Sequence, residues 1–165
     1  MRPPTVRTRI ARSVPVGIAA ATLVLVLAAG CVPGSTTTTP DTPMAIIETA
    51  DGEVRVRVEI AETPATRGRG LMFRDALEGD AGMVFLFEED STSAFHMENT
   101  RIPLSIAFFA ADGTILRILD MVPCPGPPCP IYDPEVTYRG ALEANVGAFE
   151  RWGVLTGDRV RIVRP

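Results

Sequence analysis

The chain of 165 residues contains no lysine and a single histidine, His96. The missing lysine reads as a mark of genome composition and not of function. The scarcity of histidine is more telling, because any Ser-His-Asp or Cys-His mechanism must pass through that one imidazole. Neither a G-x-S-x-G elbow nor an H-E-x-x-H helix accompanies it. Ser91, Ser93 and Asp90 lie close by in sequence, but neighbours on one loop do not make a triad. Positive charge is also lacking where it would matter for nucleic acid. From Cys31 onward there are 12 arginines against all 20 acidic residues, 12 − 20 = −8. Phosphate backbones demand clustered positive charge, so nucleic acid is excluded as a partner. Beyond the N-terminus no apolar run approaches the ~20 residues of a membrane-spanning helix. The length leaves room for one domain.

The N-terminus carries the strongest signal. Arg2, Arg7, Arg9 and Arg12 stand without a single acidic residue in the first 40. Residues 17–29 follow as an apolar run of 13, a length that suits the h-region of a signal peptide. The run ends in Ala28-Ala29-Gly30-Cys31. Small side chains at Ala29 and Gly30 thread a narrow peptidase site, and the Cys31 thiol is then placed for diacylglyceryl alkylation. The segment resembles the lipobox of bacterial lipoproteins, with Ala28 where leucine is more usual. Residues 1–30 are thus expected to be a signal peptide, with the mature chain held on a membrane of the cell envelope by lipid on Cys31. Residues 31–43 are rich in Thr, Pro and Gly without apolar periodicity, the composition of a disordered tether.

Residues 44–165 form the expected folded domain. Val54, Val56, Val58 and Ile60 alternate with Glu53, Arg55, Arg57 and Glu59, the period of a strand with one wet face. Ala50-Asp51-Gly52 supplies a hairpin turn back to residues 45–48. Thr63-Pro64 reads as an N-cap and first helical position, opening a short helix that frays near Gly68 and Gly70. Residues 82–87, 104–109, 114–122, 142–145 and 159–163 read as further strands, Asp112-Gly113 as a turn, and residues 148–152 as a helical turn. Strands outnumber helices, so the expected fold is α+β, mainly antiparallel β, compact, with one or two short helices.

Five ordered motifs carry a family resemblance. They are Arg69-Gly70-Leu71-Met72-Phe73-Arg74, Gly82-Met83-Val84-Phe85-Leu86-Phe87, Phe95-His96-Met97-Glu98-Asn99-Thr100 with Ile102-Pro103-Leu104, Leu142-Glu143, and Gly157-Asp158. The series resembles the uncharacterised family called domain of unknown function 192, over roughly residues 54–163. The resemblance implies a compact, mainly β domain and no particular reaction. His96, Glu98 and Ser105 stand where that family typically has tryptophan, lysine and aspartate.

Candidate chemistry is sparse, and no catalytic residue, metal ligand or cofactor is assigned. Arg69, Arg74 and Arg101, with Asn99 and Thr100, flank tight corners where arginines can hold a carboxylate or phosphate bidentately. The plainer reading pairs them with the domain's own acids, such as Asp75, Glu78 or Glu143. Cys124 and Cys129 bracket Pro125-Gly126-Pro127-Pro128, and outside the cytoplasm they are expected to form a disulfide. The rival, metal binding with His96, would offer three ligands where structural zinc takes four. Met72, Met83, Met97 and Met121 invite a copper reading, but most sit in apolar runs where methionine fills core space. The expected function is a lipid-anchored, non-catalytic binding or accessory module for a small anionic ligand or an envelope protein. The alternatives are a small envelope enzyme using His96 or the acidic pair Glu98 and Glu143, and a copper-handling lipoprotein.

If Cys31 is lipidated, Cys31→Ser should release the protein from membranes or leave unprocessed precursor. Mass spectrometry of the mature N-terminus decides the matter: a chain starting elsewhere than residue 31, or carrying no lipid, defeats the reading.

Overall fold

The computed structural model describes residues 42–165. The expected signal peptide, lipidation at Cys31 and the tether as far as Asp41 lie outside the described residues. Pro43, just ahead of the first strand, accepts from Val58 N at 2.9 Å through its carbonyl. Strand β1 (Met44–Thr49) turns at Ala50-Asp51 into β2 (Gly52–Ala61), the antiparallel hairpin expected from the alternation. Val56 and Val58 are buried while Arg55, Arg57 and Glu59 are exposed.

Thr63 caps the helix α1 (Pro64–Arg69). Its Oγ1 accepts from Thr66 N at 3.1 Å, while Thr66 Oγ1 accepts from Thr63 N at 3.0 Å. This is a capping box built from two threonines. Gly70, at φ 47°, ends the helix where the sequence placed its fraying. The chain then returns to lay β3 (Ala81–Ser91) parallel to β2. The sheet is therefore mixed, within the mainly antiparallel arrangement that was expected. The cause is the crossover through α1, since a parallel neighbour requires a connection longer than a hairpin turn.

After the short β4 (Phe95–His96) come β5 (Leu104–Phe109), β6 (Ile115–Met121), β7 (Ile131–Tyr132), β8 (Tyr138–Asn145), α2 (Ala148–Arg151) and β9 (Arg159–Val163). The main sheet runs β6-β5-β8-β3-β2-β1-β9, and every pairing in it besides β2–β3 is antiparallel. The domain is thus mostly β with two short helices. β4 and β7 pair separately through Phe95↔Tyr132 and His96↔Ile131, in strands too short for any periodicity to announce them.

The sheet curls until its two edge strands meet at one end. Ile115 N donates to Asp158 O, Gly157 N to Ile115 O and Val160 N to Gly113 O, each at 2.8 Å. Curling creates two apolar layers. The concave one draws on all seven strands, with Ile47, Val56, Val84, Phe109 and Leu142 closed over by Phe149 beside α2's Ala148. The convex one lies on β3, β5, β6 and β8, where Met83, Phe85, Ile106 and Phe108 pack under Leu71, Met97 and Ile102. β5 lies between both layers, so all six of its residues are buried. Ser105 is among them, its hydroxyl bonded to Asp120 and accepting from Gly147 N at 2.8 Å, where α2 begins.

Cys124 and Cys129 form the expected disulfide, with Cα atoms 5.8 Å apart. Met83, Met97 and Met121, grouped with His96 under the copper reading, are buried in the convex layer, while His96 is exposed.

Gly113 has φ 88°, and a methyl group there would run into the carbonyl oxygen of Val160. Gly113→Ala should therefore open the seam between the sheet's edges, costing about 1–3 kcal/mol. Thermal denaturation should show Tm falling by several degrees, and an unchanged Tm would mean that the seam contributes nothing to stability.

Candidate functional site

The polar groups buried in this domain are few: Thr100, Ser105 and Glu143. Glu143 lies on β8 between Met83 of β3 and Ile106 of β5, in register with both. The alternation that sends Leu142 and Ala144 into the concave layer directs Glu143 to the convex side. The residue keeps 5% of its surface, and its carboxyl, which has no hydrogen bond or ion pair among the described residues, retains some exposure of its oxygens. Burial alone pushes its carboxyl up to about 8, because the charged form has lost water and gained no partner.

Glu143 opens onto a cavity of about 220 Å³ beneath the end of α1. Phe85 and Phe87 of β3, Phe95 of β4 and Tyr138 of β8 form its apolar walls, and Leu71 and Met72 descend from the turn after α1. The aromatic rings hold one another edge to face, Phe85–Phe95 at 5.2 Å and Phe87–Tyr138 at 5.4 Å between centroids. Tyr138 OH donates to Ser93 O at 2.8 Å and so fixes the loop leading to His96. Arg67 secures α1 from above. It donates through Nη1 to Leu86 O at 2.9 Å and to Glu62 O at 2.6 Å, with its guanidinium 4.7 Å from the Phe87 ring centre.

The five residues singled out as a ligand site do not share one place. Arg69 and Thr100 line this cavity. Arg69 also borders a second hollow on the far side of Gly70, reached by Arg74. Arg74 is held by Glu59 at 2.6 Å, and Arg101 by Asp75 at 2.9 Å. Asn99 adopts φ 56° and accepts from Phe73 N at 2.8 Å through its carbonyl, which joins the two arginine-bearing segments. Thr100 is buried, with its Oγ1 3.5 Å from Glu98 O. His96 stands on the cavity rim, and Glu98 is not among the lining residues. Of the acids named as internal partners, Asp75 holds Arg101 and Glu78 holds Arg57, whereas Glu143 holds no arginine. The aromatic walls and Arg67 went unmarked in the sequence. One signal was present: Glu143 is the lone charge within Gly140-Ala141-Leu142-Glu143-Ala144.

Arg69 differs from the other arginines of residues 42–165. Arg55, Arg57, Arg74, Arg101, Arg117, Arg139, Arg159, Arg161 and Arg164 each pair with a carboxylate. Arg67 and Arg151 bond backbone carbonyls. Arg69 has no such partner among the described residues and is exposed at the cavity edge.

The chain is similar to two solved structures in particular. One is a protein of Sinorhizobium meliloti 1021 provisionally described as a transcription regulator, 36% identical, covering 73% of this chain and 92% of that one at a TM-score of 0.67. The other is a protein of unknown function from Novosphingobium aromaticivorans DSM 12444, 32% identical, covering 72% of this chain and 83% of that one at a TM-score of 0.61. Comparison with curated proteins returns no match. Residues 46–162 match the family of domain of unknown function 192, described as "Uncharacterized ACR". On that match and these identities, the chain belongs to the family of domain of unknown function 192.

Proposed function

We propose that the protein is a small-ligand-binding domain of the cell envelope, tethered by lipid on Cys31, with its site in the cavity beneath α1. One observation carries the reading: Glu143 is a buried residue whose carboxyl, unpartnered among the described residues, reaches an aromatic-walled cavity. Buried polar groups are otherwise satisfied in folded proteins, so one left open at a cavity floor is suited to a ligand's polar atom. The envelope assignment draws on the arginine-rich start, the apolar run and Ala29-Gly30-Cys31. A regulator of transcription, the description of the Sinorhizobium relative, finds little support in this chain. Its mature part is acidic, and nine of its arginines are paired with carboxylates.

A second reading is an envelope enzyme in which Glu143 moves a proton. It rests on a carboxyl held near neutral pH, with His96 on the same rim. Glu98, the other member of the expected acidic pair, stands outside that cavity. Turnover of an envelope substrate that disappears in Glu143→Gln would favour this reading over simple binding.

Two measurements follow. An unfolded glutamate titrates near 4.5, whereas folded Glu143 keeps its proton up to about 8. Between those values the folded state holds the extra proton, so stability should fall as pH rises, by at most ~1.4 kcal/mol per unit. Below 4.5 the contribution is complete, and above about 8 no more is lost. Glu143→Gln removes that slope, so urea denaturation should show the variant gaining on the wild type as pH rises. Parallel curves would mean that Glu143 is solvated or paired. The binding reading itself is tested by an NMR screen of ring-sized fragments on the purified chain. Hits should shift the amides of residues 69–72 and 85–87 and be lost in Glu143→Leu. A stable Glu143→Leu variant that binds every hit as the wild type does would sink it.

A further inference from the structure

The cavity's size, its aromatic walls and two of its polar groups, Arg69 and Glu143, together restrict what it takes. An apolar cavity of ~150 Å³ already accepts a benzene ring, so about 220 Å³ holds one ring with a substituent at each end. The walls of Phe85, Phe87, Phe95 and Leu71 favour a flat apolar body. A cation is disfavoured, since Arg67 already covers the Phe87 face and Arg69 borders the opening. Inorganic phosphate and phosphate esters are also poorly matched. They carry close to two charges near neutral pH, and Arg69 is the lone arginine left uncommitted among the described residues. A carboxylate carries one charge and fits a guanidinium fork bidentately.

Resting on the cavity reading above, we propose that the site takes a ring-sized organic monocarboxylate, its carboxylate on Arg69 at the mouth and a hydroxyl or carbonyl at its far end on the Glu143 carboxyl at the floor. A protonated carboxyl both donates and accepts, so it meets either kind of far-end group. Arg69 fits the mouth because α1 ends there. Gly70 turns the chain at φ 47°, leaving the arginine exposed between two hollows while Leu71 drops into the core. Arg67, two residues earlier, is spent on holding α1 to β3 and leaves anion recognition to Arg69.

The test uses the purified full chain and three ring probes that differ in one substituent: para-hydroxybenzoate, para-hydroxybenzamide and para-hydroxybenzylamine. Titration followed by amide NMR should show para-hydroxybenzoate saturating shifts at residues 69–72 and 85–87. The neutral amide should bind about tenfold more weakly, and the amine more weakly still. Arg69→Gln, at an exposed position, should keep the fold and erase the preference for the benzoate over the benzamide. Glu143→Leu should weaken both, whereas Glu143→Gln, which still donates and accepts, should retain them. Preference for the amine, or equal binding of the three, overturns the carboxylate class and leaves the cavity reading standing. Failure of all three probes alongside fragment hits at the same amides also defeats this assignment alone. Failure of the probes and of every fragment removes both.

Discussion

Burial of the central strands on both faces is the constraint from which the other features of this domain follow. The curl of the sheet gives β3, β5 and β8 one apolar layer inside and another outside. A strand in that position has no wet face on which to place a polar side chain, so each polar group there must find a partner or carry its own desolvation. Ser105 finds its partners in Asp120 and Gly147. Glu143 does not, and it retains its proton instead. An apolar residue of similar size would pack into this layer without that penalty. Sites that break a local rule of packing in this way are where function is most often housed.

Charge is arranged on a different principle at the surface. The ion pairs of this acidic domain are exposed, and each contributes little to stability. Their larger effect is on availability. Pairing engages one nitrogen each of Arg74 and Arg101 with a carboxylate. Arg69, exposed where its helix stops at Gly70, makes no such pair among the described residues.

The cavity depends on how α1 is seated. α1 is six residues long and buries none of them, so packing beneath it contributes little. It is positioned by its threonine capping box at one end and by the bonds of Arg67 to Leu86 and Glu62. Tyr138 plays the matching part on the opposite wall, holding the loop before His96 through Ser93. A roof held by hydrogen bonds between aromatic walls leaves a hollow that a roof held by apolar packing would have filled.

Strong local signals were legible in the residues alone. Strict alternation at residues 53–60 defined β2, Thr63-Pro64 and Gly70 bounded α1, and Asp112-Gly113 turned β5 into β6. The pairing of Cys124 with Cys129 and the family itself were likewise readable, since each rests on short spacing or ordered motifs. Partners distant in sequence were not. The parallel β2–β3 pair, the seam of β6 with β9 and the pairing of β4 with β7 arise from closure of the whole sheet, which no window of neighbours encodes. The same limit governed the site. Arg69, Arg74 and Arg101 look alike as arginines beside tight corners, and only the fold brings Glu59 and Asp75 to two of them. Glu143 is legible as a lone charge in an apolar strand, but its isolation is decided by three strands and a helix meeting around it. Charge and periodicity are local properties that a sequence states outright, whereas desolvation depends on every neighbour and exists only once the chain has folded.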